Sequence, residues 1–354
     1  MPALFDEIFN FKTLEMAYRK ASAGQEKFKA EALLFARNDV ANLLSLQRKL
    51  YDKSYTFSGY IKFKVYEPKE RIIHAPHFVD KIVQLSMHSV LTPLIMKSFI
   101  PESYSCLPGR GTHKAIDKVQ QNLIRGKARW GDSSYVLKLD IKKFFYTIDR
   151  NILKELYRAK ISDPEVLRVM DIITDSADEI STVGVPLGNT MSQLYSNIYL
   201  DRLDQYCKRY LGYRYYCRYA DDVIIVLADK GEAQEAKKLC SAFLADSLHL
   251  GINTKKTQIF PIKNGVNAFG FKIKPNYRLL RNDSKKKIKR KIRKMPSLIK
   301  EGRMTAETAN QILASWSGHA KHGSTQNFAR SLVERWPYLI MDEKGIIKIK
   351  DKYF

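Results

Sequence analysis

The alternation of apolar and polar positions divides the chain into regular elements. Near the amino terminus, Leu4, Ile8, Phe11 and Leu14 recur with a helical period. Other stretches alternate with a period of two or are continuously apolar, as strands are. The pattern predicts helices over 3–52, 78–99, 150–180 and 231–250, a loop over 107–116 and a loop followed by a helix over 182–207. It predicts short strands over 59–75, a strand that runs into a turn over 135–149, a hairpin over 213–228 and a strand over 260–273.

The order of these elements indicates the fold class. After the first helices come β, α, β, β, α and β, which is the split β-α-β order of a ferredoxin-like sheet with helices on one side. An α+β fold is therefore expected.

The segment 285–294 is strongly basic, since eight of its ten residues are Lys or Arg. Ile288, Ile292 and Met295 have helical spacing there, so one stripe can pack while the rest meets phosphates; a merely solvated charged helix is the alternative.

Composition and charge narrow the class of partner. The chain has 354 residues, 45% of them hydrophobic, which is typical of a globular protein of two or three domains. Its net charge is +24, from 61 Lys and Arg against 37 Asp and Glu. Such an excess favours a polyanionic partner, most simply nucleic acid. A soluble basic protein without such a partner is the alternative.

The cysteines and the apolar runs indicate the cellular compartment of the protein. Cys106, Cys207, Cys217 and Cys240 form no CxxC pair, so reduced thiols are expected rather than a zinc site. The first residues do not resemble a signal peptide, and no apolar run reaches transmembrane length. A cytoplasmic protein without a membrane partner is therefore expected.

Three aspartates stand out as candidate chemistry. Asp221 and Asp222 separate two apolar runs in CRYADDVIIV, and Asp140 follows another in VLKLDIKKFF. If these strands are neighbours in one sheet, three carboxylates converge, and they cannot all stay ionised without a cation. Oxygen ligands favour Mg²⁺, and two such ions can act on the attacking and leaving oxygens of a phosphoryl transfer. A solvated turn is the alternative for the aspartate pair.

The box YADD at 219–222 resembles the YxDD box of reverse transcriptases. Motifs in that family's order surround it, over about residues 60–275: PKERIIHAP with VDKIVQ, SYSCLPGRGTHKAI, LKLDIKKFF, GVPLGNTMSQ, INTKKT and AFGFKI. The resemblance implies a right-hand polymerase with fingers, a ferredoxin-like palm and a helical thumb. It implies N-terminal helices and fingers with part of the palm at 1–133, the palm with an interleaved fingers segment at 134–280, and a basic helical thumb at 281–354.

The resemblance also implies the metal centre and the partners. Asp140, Asp221 and Asp222 match the catalytic metal-binding triad, and Ile141 lies at the metal site in the same motif. Two Mg²⁺ ions, which Mn²⁺ can replace, are the implied cofactors. Template RNA, a DNA or RNA primer and deoxynucleoside triphosphates are the implied partners.

Further positions match nucleotide and template contacts of the family. Lys69 and Arg71 match residues that hold the incoming triphosphate, although Arg71 can equally be a surface strand charge. Phe145 matches an aromatic wall against the sugar 2′ position, with a core phenylalanine as the alternative. The other nucleotide candidates are Phe144, Leu187, Gly188, Gln193 and Lys256 (or Lys255 beside it), and the template and primer candidates are Gly109, Arg110, Gly111, Tyr219, Gly270, Phe271, Lys286, Lys289, Arg290 and Arg293.

The fourth motif indicates a subfamily. LGNTMSQ at 187–193 resembles the [I/L/V]GxxxSQ form of reverse transcriptases from diversity-generating retroelements, whereas most bacterial relatives have QGxxxSP. The compact length, without room for an RNase H or endonuclease domain, fits the same subfamily. The resemblance implies a bacterial or phage enzyme in the host cytoplasm, copying that is error-prone at template adenines, and a small basic accessory protein as a partner.

Two other functions remain open on the sequence. One is a stand-alone defence or abortive-infection reverse transcriptase, or one similar to group II intron enzymes. The other is a catalytically inactive nucleic-acid-binding protein, which the presence of all three aspartates disfavours.

Overall fold

A computed structural model describes residues 3–66, 70–176, 181–350 and 353. Within them the helices are α1 (Leu4–Phe9), α2 (Phe11–Ala21), α3 (Ala30–Ala36), α4 (Asp39–Tyr51), α5 (Phe78–Met96), α6 (Thr112–Trp130), α7 (Phe144–Thr147), α8 (Arg150–Arg158), α9 (Pro164–Asp175), α10 (Thr190–Gln205), α11 (Lys230–Leu248), α12 (Asn282–Lys300), α13 (Ala306–Ala320) and α14 (Gln326–Arg335). The strands are β1 (Tyr60–Val65), β2 (Arg71–Pro76), β3 (Tyr135–Asp140), β4 (Tyr215–Tyr219), β5 (Asp222–Leu227), β6 (Gln258–Pro261), β7 (Val266–Ala268), β8 (Phe271–Ile273), β9 (Arg278–Leu280), β10 (Leu339–Met341) and β11 (Ile347–Ile349).

A four-stranded sheet with the order β4-β5-β3-β6 carries the three aspartates. Along the chain these strands run β3, β4, β5, β6, with α10 before β4 and α11 before β6. That is the β-α-β-β-α-β arrangement of a ferredoxin-like sheet, with α7, α8 and α9 inserted after β3. The predicted palm topology and the α+β fold class of a right-hand polymerase are thereby confirmed.

The strands of this sheet form where the sequence is apolar without interruption. Residues Val223 to Leu227 of β5 are all at most 2% exposed. A strand that is apolar on both faces is typical of a sheet covered on both sides, and β5 lies inside the sheet order, between β4 and β3. Alternating segments instead form the antiparallel hairpin β1–β2, in which Tyr60 pairs with Pro76 and Val65 with Arg71.

The chain divides into two compact units by its internal contacts. The first comprises the residues up to Gly111 together with Lys138–Ile224 and Gln234–Gln258. In it, α1 and α2 pack on α5, and α10 also contacts α5. The core side chains of this packing include Ile8, Leu14, Leu43, Ile82 and Leu200, all at most 1% exposed.

The second unit comprises Thr112–Leu137, Ile225–Ala233 and the chain from Ile259 onward. Its carboxy-terminal part has one apolar core shared by α12, α13, α14 and the hairpin β10–β11. As predicted, α12 buries the stripe Ile288, Ile292 and Met295. Its basic residues Lys286, Lys289, Arg290 and Arg293 are exposed. No helix among the described residues is long and apolar enough to cross a membrane.

The structure corrects three predicted segments. The predicted loop over 107–116 ends at Gly111, because α6 begins at Thr112 and buries Ile116, Val119 and Leu123 at helical spacing. The predicted strand over 260–273 is three short strands in two sheets, interrupted by a helical turn at Ile262–Asn264 and a turn at 269–270. The third correction is the hairpin β10–β11, which adds strands to a region expected to be helical.

A buried ion pair supports the hairpin β4–β5. Arg218 of β4 is 1% exposed and Asp204 of α10 is 0% exposed. The Arg218 guanidinium donates to both carboxylate oxygens of Asp204, with Nε–Oδ1 at 2.8 Å and Nη2–Oδ2 at 2.7 Å. It also donates to Ser103 Oγ at 2.8 Å, to Asn197 Oδ1 at 3.2 Å and to the Ala220 carbonyl at 3.2 Å. The buried charge is thus paired and hydrogen-bonded on several sides.

The Ala220 contact stabilises a strained turn. Ala220 is the first residue of the two-residue loop between β4 and β5, and its φ is +51°. Hairpin turns usually place glycine at such a position, because the left-handed region costs an ordinary residue about 1 kcal/mol. The hydrogen bond from Arg218 offsets that cost at the tip that carries Asp221.

We expect Arg218→Met to lower the free energy of unfolding by about 3–5 kcal/mol, because Asp204 would remain buried without its partner. The double variant Arg218→Met with Asp204→Leu should recover more than half of that loss. Urea unfolding monitored by circular dichroism measures both. The exposed Arg214 provides the matched control, and Arg214→Met should change stability by less than about 0.5 kcal/mol. A single variant as stable as the parent would show that the pair does not stabilise the hairpin.

Candidate active site

The ends of β3 and β5 bring the three aspartates to one edge of the sheet. Asp140 is the last residue of β3, Asp221 lies in the β4–β5 loop, and Asp222 opens β5. Strands β3 and β5 are neighbours in the sheet. The Ile141 amide donates to the Asp221 carbonyl at 3.3 Å, which ties the two strand ends together. The convergence predicted for these three residues is therefore present.

Burial and mutual repulsion act on the two hairpin carboxylates. Burial raises the pKa of Asp221 above its ordinary value, and the nearby charges of Asp222 and Asp140 raise it further. Burial also raises the pKa of Asp222, while attraction by Lys138 acts in the opposite direction. The Lys138 Nζ lies 3.5 Å from Asp222 Oδ1. Asp140 is therefore close enough to both hairpin carboxylates to disfavour their ionisation.

Asp140 is held from two sides. It is 4% exposed. Its amide donates to Thr257 Oγ1 at 3.2 Å, and its Oδ2 accepts from Lys256 Nζ at 2.7 Å. Its Oδ1 is buried and makes no hydrogen bond to any described residue. An unpaired carboxylate oxygen in a buried position is costly, so it marks a place where a further cation is stabilised.

The segment that follows α11 sets which lysine reaches Asp140. The Lys142 amide donates to the Gly251 carbonyl at 2.8 Å, and the Asn253 amide donates to the Asp140 carbonyl at 2.7 Å. These bonds fix the register of INTKKT against the end of β3, and they direct Lys256 to the carboxylate. The hydrogen bond to Asp140 raises the pKa of Lys256. Of the two lysines left open by the sequence, Lys256 is thus the one in the site.

These residues fit a divalent cation. Within the described part of the chain, no three His, Cys, Asp or Glu side chains form a ready-made metal cage. Mg²⁺ is usually bound by one or two carboxylates together with water and substrate phosphates, so a complete protein cage is not required. The unpaired Asp140 Oδ1 and the acids Asp221 and Asp222 are oxygen donors of the type that Mg²⁺ prefers.

The fourth motif packs on the first hairpin. The His74 amide of β2 donates to the Leu187 carbonyl at 2.7 Å. Gly188 has φ +107°, and a Cβ there would lie 2.6 Å from Ile73 Cγ2. Packing against β2 therefore already requires a residue without a Cβ at position 188. Contact between Gly188 and a nucleotide remains a prediction. Arg71 opens β2 with an exposed side chain.

The remaining nucleotide candidates differ in accessibility. Lys69 lies outside the described residues. Phe144 is 2% exposed, so its ring belongs to the core and cannot contact a nucleotide as the structure stands. Phe145 beside it is partly exposed, and its carbonyl accepts from the Val185 amide at 2.8 Å. Gln193 is exposed on the first turns of α10.

The predicted template loop is held by its own arginine. Arg110 Nη1 donates to the Ile100 carbonyl at 2.7 Å and to the Ser103 carbonyl at 2.6 Å. Gly109 and Gly111 have φ of +70° and +127°, and a Cβ at either would meet no atom within 4 Å. The glycines are thus needed for the turn itself. Contact of this loop with template remains a prediction.

The primer candidates divide between the two units. Tyr219, which ends β4 in the first unit, is partly exposed. Gly270 and Phe271 lie in the second unit, as do the exposed basic residues of α12. Phe271 is 0% exposed, with its ring 4.7 Å from that of His319. Phe271 is therefore a core residue, and of the two primer candidates in that motif only Gly270 is partly exposed.

Sequence reasoning missed three residues that hold the site. Lys138, Thr257 and Arg218 contact Asp222, Asp140 and the Ala220 carbonyl respectively. Lys138 stands two residues before Asp140 on β3, so the alternation of side chains along that strand was the available signal. Thr257 meets Asp140 from a segment far along the chain, and the orientation of Arg218 toward the nearby Ala220 carbonyl depends on its distant partner Ser103.

Comparison with known proteins places the chain among relatives. It is 29% identical over 255 residues to protein YkfC of Escherichia coli (strain K12), which covers 59% of this chain and 66% of YkfC. It is 28% identical over 144 residues to the group II intron-encoded protein LtrA of Lactococcus lactis subsp. cremoris, which covers 39% of this chain and 23% of LtrA. The chain thus spans just under two thirds of YkfC and under a quarter of LtrA.

Among solved structures, telomerase from Candida albicans with a fragment of telomeric RNA resembles the chain with a TM-score of 0.49 and 12% identity, over 64% of this chain and 46% of that one. The model of the family described as reverse transcriptase (RNA-dependent DNA polymerase) matches residues 62–273. That match spans more than half of the chain and contains all three aspartates. The chain therefore belongs to the reverse transcriptase family.

Proposed function

We propose that this chain is an RNA-directed DNA polymerase that copies a template RNA into DNA. The observation that carries the proposal is the meeting of Asp140, Asp221 and Asp222 at the ends of β3 and β5, with the Asp140 Oδ1 left unpaired. An inactive nucleic-acid-binding protein would gain nothing from keeping one buried and two partly buried carboxylates together, because their repulsion is destabilising.

Asp140, Asp221 and Asp222 would hold the divalent ions. Bound Mg²⁺ would neutralise the carboxylates and stabilise the negative charge that develops on the reacting phosphate oxygens. Lys138 and Lys256 already pair with Asp222 and Asp140, which keeps the acids oriented in the folded chain. Lys256 is 52% exposed at its side chain, so it is also available to a triphosphate.

The hairpin β1–β2 and the fourth motif form the proposed nucleotide-binding surface. Arg71 is exposed at the start of β2, and its guanidinium can donate two parallel hydrogen bonds to phosphate oxygens. The backbone bond between His74 and Leu187 joins this strand to the loop at Gly188. Of the two candidate phenylalanines, Phe145 is the one available to the sugar, since Phe144 is buried.

The biological setting is a finer proposal with two candidates. The motif LGNTMSQ supports a diversity-generating retroelement in a bacterial cytoplasm, with a small basic accessory protein and copying that is error-prone at adenines. The relative LtrA, whose name marks it as encoded by a group II intron, supports an enzyme of that kind instead. The two candidates differ in the expected fidelity of copying. Leu187 bears on fidelity, because leucine in place of glutamine offers no polar contact to a base pair.

The first prediction about the proposed activity concerns Asp221. Asp221→Asn should lower the rate of primer extension on an RNA template by roughly 100- to 1000-fold, because charge stabilisation at the reacting phosphate is lost. RNA affinity should change by less than about threefold, since phosphate contacts elsewhere supply it. Asp246 is an exposed acid on α11, and Asp246→Asn should retain the parent rate. Full extension by Asp221→Asn with Mg²⁺ as the only divalent ion would refute the assignment.

The second prediction concerns Phe145. Phe145→Val should raise ribonucleotide incorporation relative to deoxynucleotide incorporation by roughly 10-fold or more, because a clash with the 2′-hydroxyl is relieved. Steady-state incorporation of single nucleotides measures the ratio. Phe144→Leu is the matched control, and it should lower stability without changing the ratio, because Phe144 is a core residue. If only Phe144→Leu altered the ratio, the two roles would be exchanged.

The third prediction concerns fidelity at Leu187. Copying a mixed-sequence RNA and sequencing the products should show a higher error rate at template adenines than at other bases. Leu187→Gln should lower the adenine error rate, whereas the apolar control Leu187→Met should leave it unchanged. Equal error rates at all four bases in the parent chain would exclude the diversity-generating role and favour the intron-like one. If the adenine bias persisted in Leu187→Gln, the proposed role of Leu187 in fidelity would be rejected and the diversity-generating role would stand.

A further inference from the structure

Three aromatic rings stack on the first unit, at a place that includes none of the predicted site residues. Tyr206 and Tyr210 lie on a single π-helical turn, Tyr206–Tyr210, that follows α10. Their ring centroids are 5.3 Å apart with an interplanar angle of 15°. Phe243 of α11 stacks on Tyr206 at 4.2 Å and 9°. Tyr206 is therefore the middle ring of a parallel stack that ends at Tyr210.

The stack ends in solvent. Tyr210 is 79% exposed, whereas Tyr206 and Phe243 are only partly exposed. A contiguous apolar face rimmed by polar residues marks an interaction site more often than a single exposed side chain does. Single π-helical turns are also less stable than α-helix and occur frequently at functional sites. The open face of Tyr210 can accept one more flat ring in the same stack.

The surface beside the stack is positively charged. A groove of about 530 Å³ borders the rings and is lined by Lys160, Asp201, Arg202 and Arg209 among others. Lys160 and Asp201 form an ion pair at 2.9 Å, so their charges offset each other. Arg202 and Arg209 are exposed. The groove therefore carries a net positive charge next to a flat apolar face.

We propose that Tyr210, supported by Tyr206 and Phe243, is a platform on which an unpaired base of single-stranded RNA stacks. Arg202 and Arg209 would contact the phosphates on either side of that base. RNA-binding proteins recognise unpaired nucleotides by this combination of aromatic stacking and arginine contacts. An anionic peptide would satisfy the arginines but would leave the ring stack without a matching flat group, so RNA is the favoured occupant. The platform requires RNA binding and does not require polymerisation.

Crosslinking tests the location. A uridine-rich single-stranded RNA of about a dozen nucleotides, substituted with iodouridine, is bound to the full chain and irradiated. Mass spectrometry then identifies the crosslinked residue. A crosslink to Tyr210 or Tyr206 is expected, because iodouridine reacts with rings that stack on it. Absence of any crosslink on the turn Tyr206–Tyr210 would overturn the platform and leave the surface to a protein partner.

Affinity measurements test the contribution. Tyr210→Ala should weaken binding of the same RNA by roughly 10-fold, and Tyr210→Trp should restore it, because loss of one stacked base costs about 1–3 kcal/mol. Arg209→Gln should lower the slope of log affinity against log salt by about one unit. Phe28 is 64% exposed and has Lys27 rather than a second ring over its face, so Phe28→Ala should bind like the parent.

The outcomes separate this proposal from the polymerase assignment. If Tyr210→Ala bound RNA as tightly as the parent, the platform would be rejected even though primer extension persisted. If the parent chain failed to extend a primer but crosslinked through Tyr210, the polymerase proposal would fail and the platform would stand.

Discussion

The buried ion pair between Arg218 and Asp204 is the constraint on which the arrangement of the site depends. It joins α10 to β4, and through Ser103 it also joins the segment after α5. The same guanidinium reaches the Ala220 carbonyl, where the chain turns with a left-handed residue. A rigid, fully paired charge beneath the turn allows two aspartates to follow it without the flexibility that a glycine turn would bring.

The electrostatics of the site balance repulsion against local cations. No lysine or arginine stands within two residues of Asp221 or Asp222, yet Lys138 from the neighbouring strand and Lys256 from the segment after α11 lie beside the acids. Burial and mutual repulsion still raise the pKa of both hairpin carboxylates. Such stored repulsion is typical of functional sites, where stability is given up for a charge arrangement that a ligand completes.

Each of the two units carries exposed basic residues besides the lysines that pair with the aspartates. In the second unit they lie on the exposed face of α12, whose apolar stripe is fixed in a core with α13 and α14. In the first unit they flank the stack that ends at Tyr210. Affinity for a polyanion and chemistry on a phosphate can therefore be supplied by different residues, which lets each be altered without the other.

The sequence by itself determined the family, the strand order of the palm, the three aspartates and the buried stripe of α12, because these depend on local motifs and on short periodic patterns. It did not decide between Lys255 and Lys256, or between Phe144 and Phe145, because neighbouring residues of one type differ only in what the folded chain places against them. It also left out α6 and the breaks at Ile262–Asn264 and 269–270, and it did not show that Gly188 packs against Ile73. Only the tertiary structure brought Arg218 to Asp204 and Lys256 to Asp140, since the hydrogen bonds that set those contacts join segments that are distant along the chain.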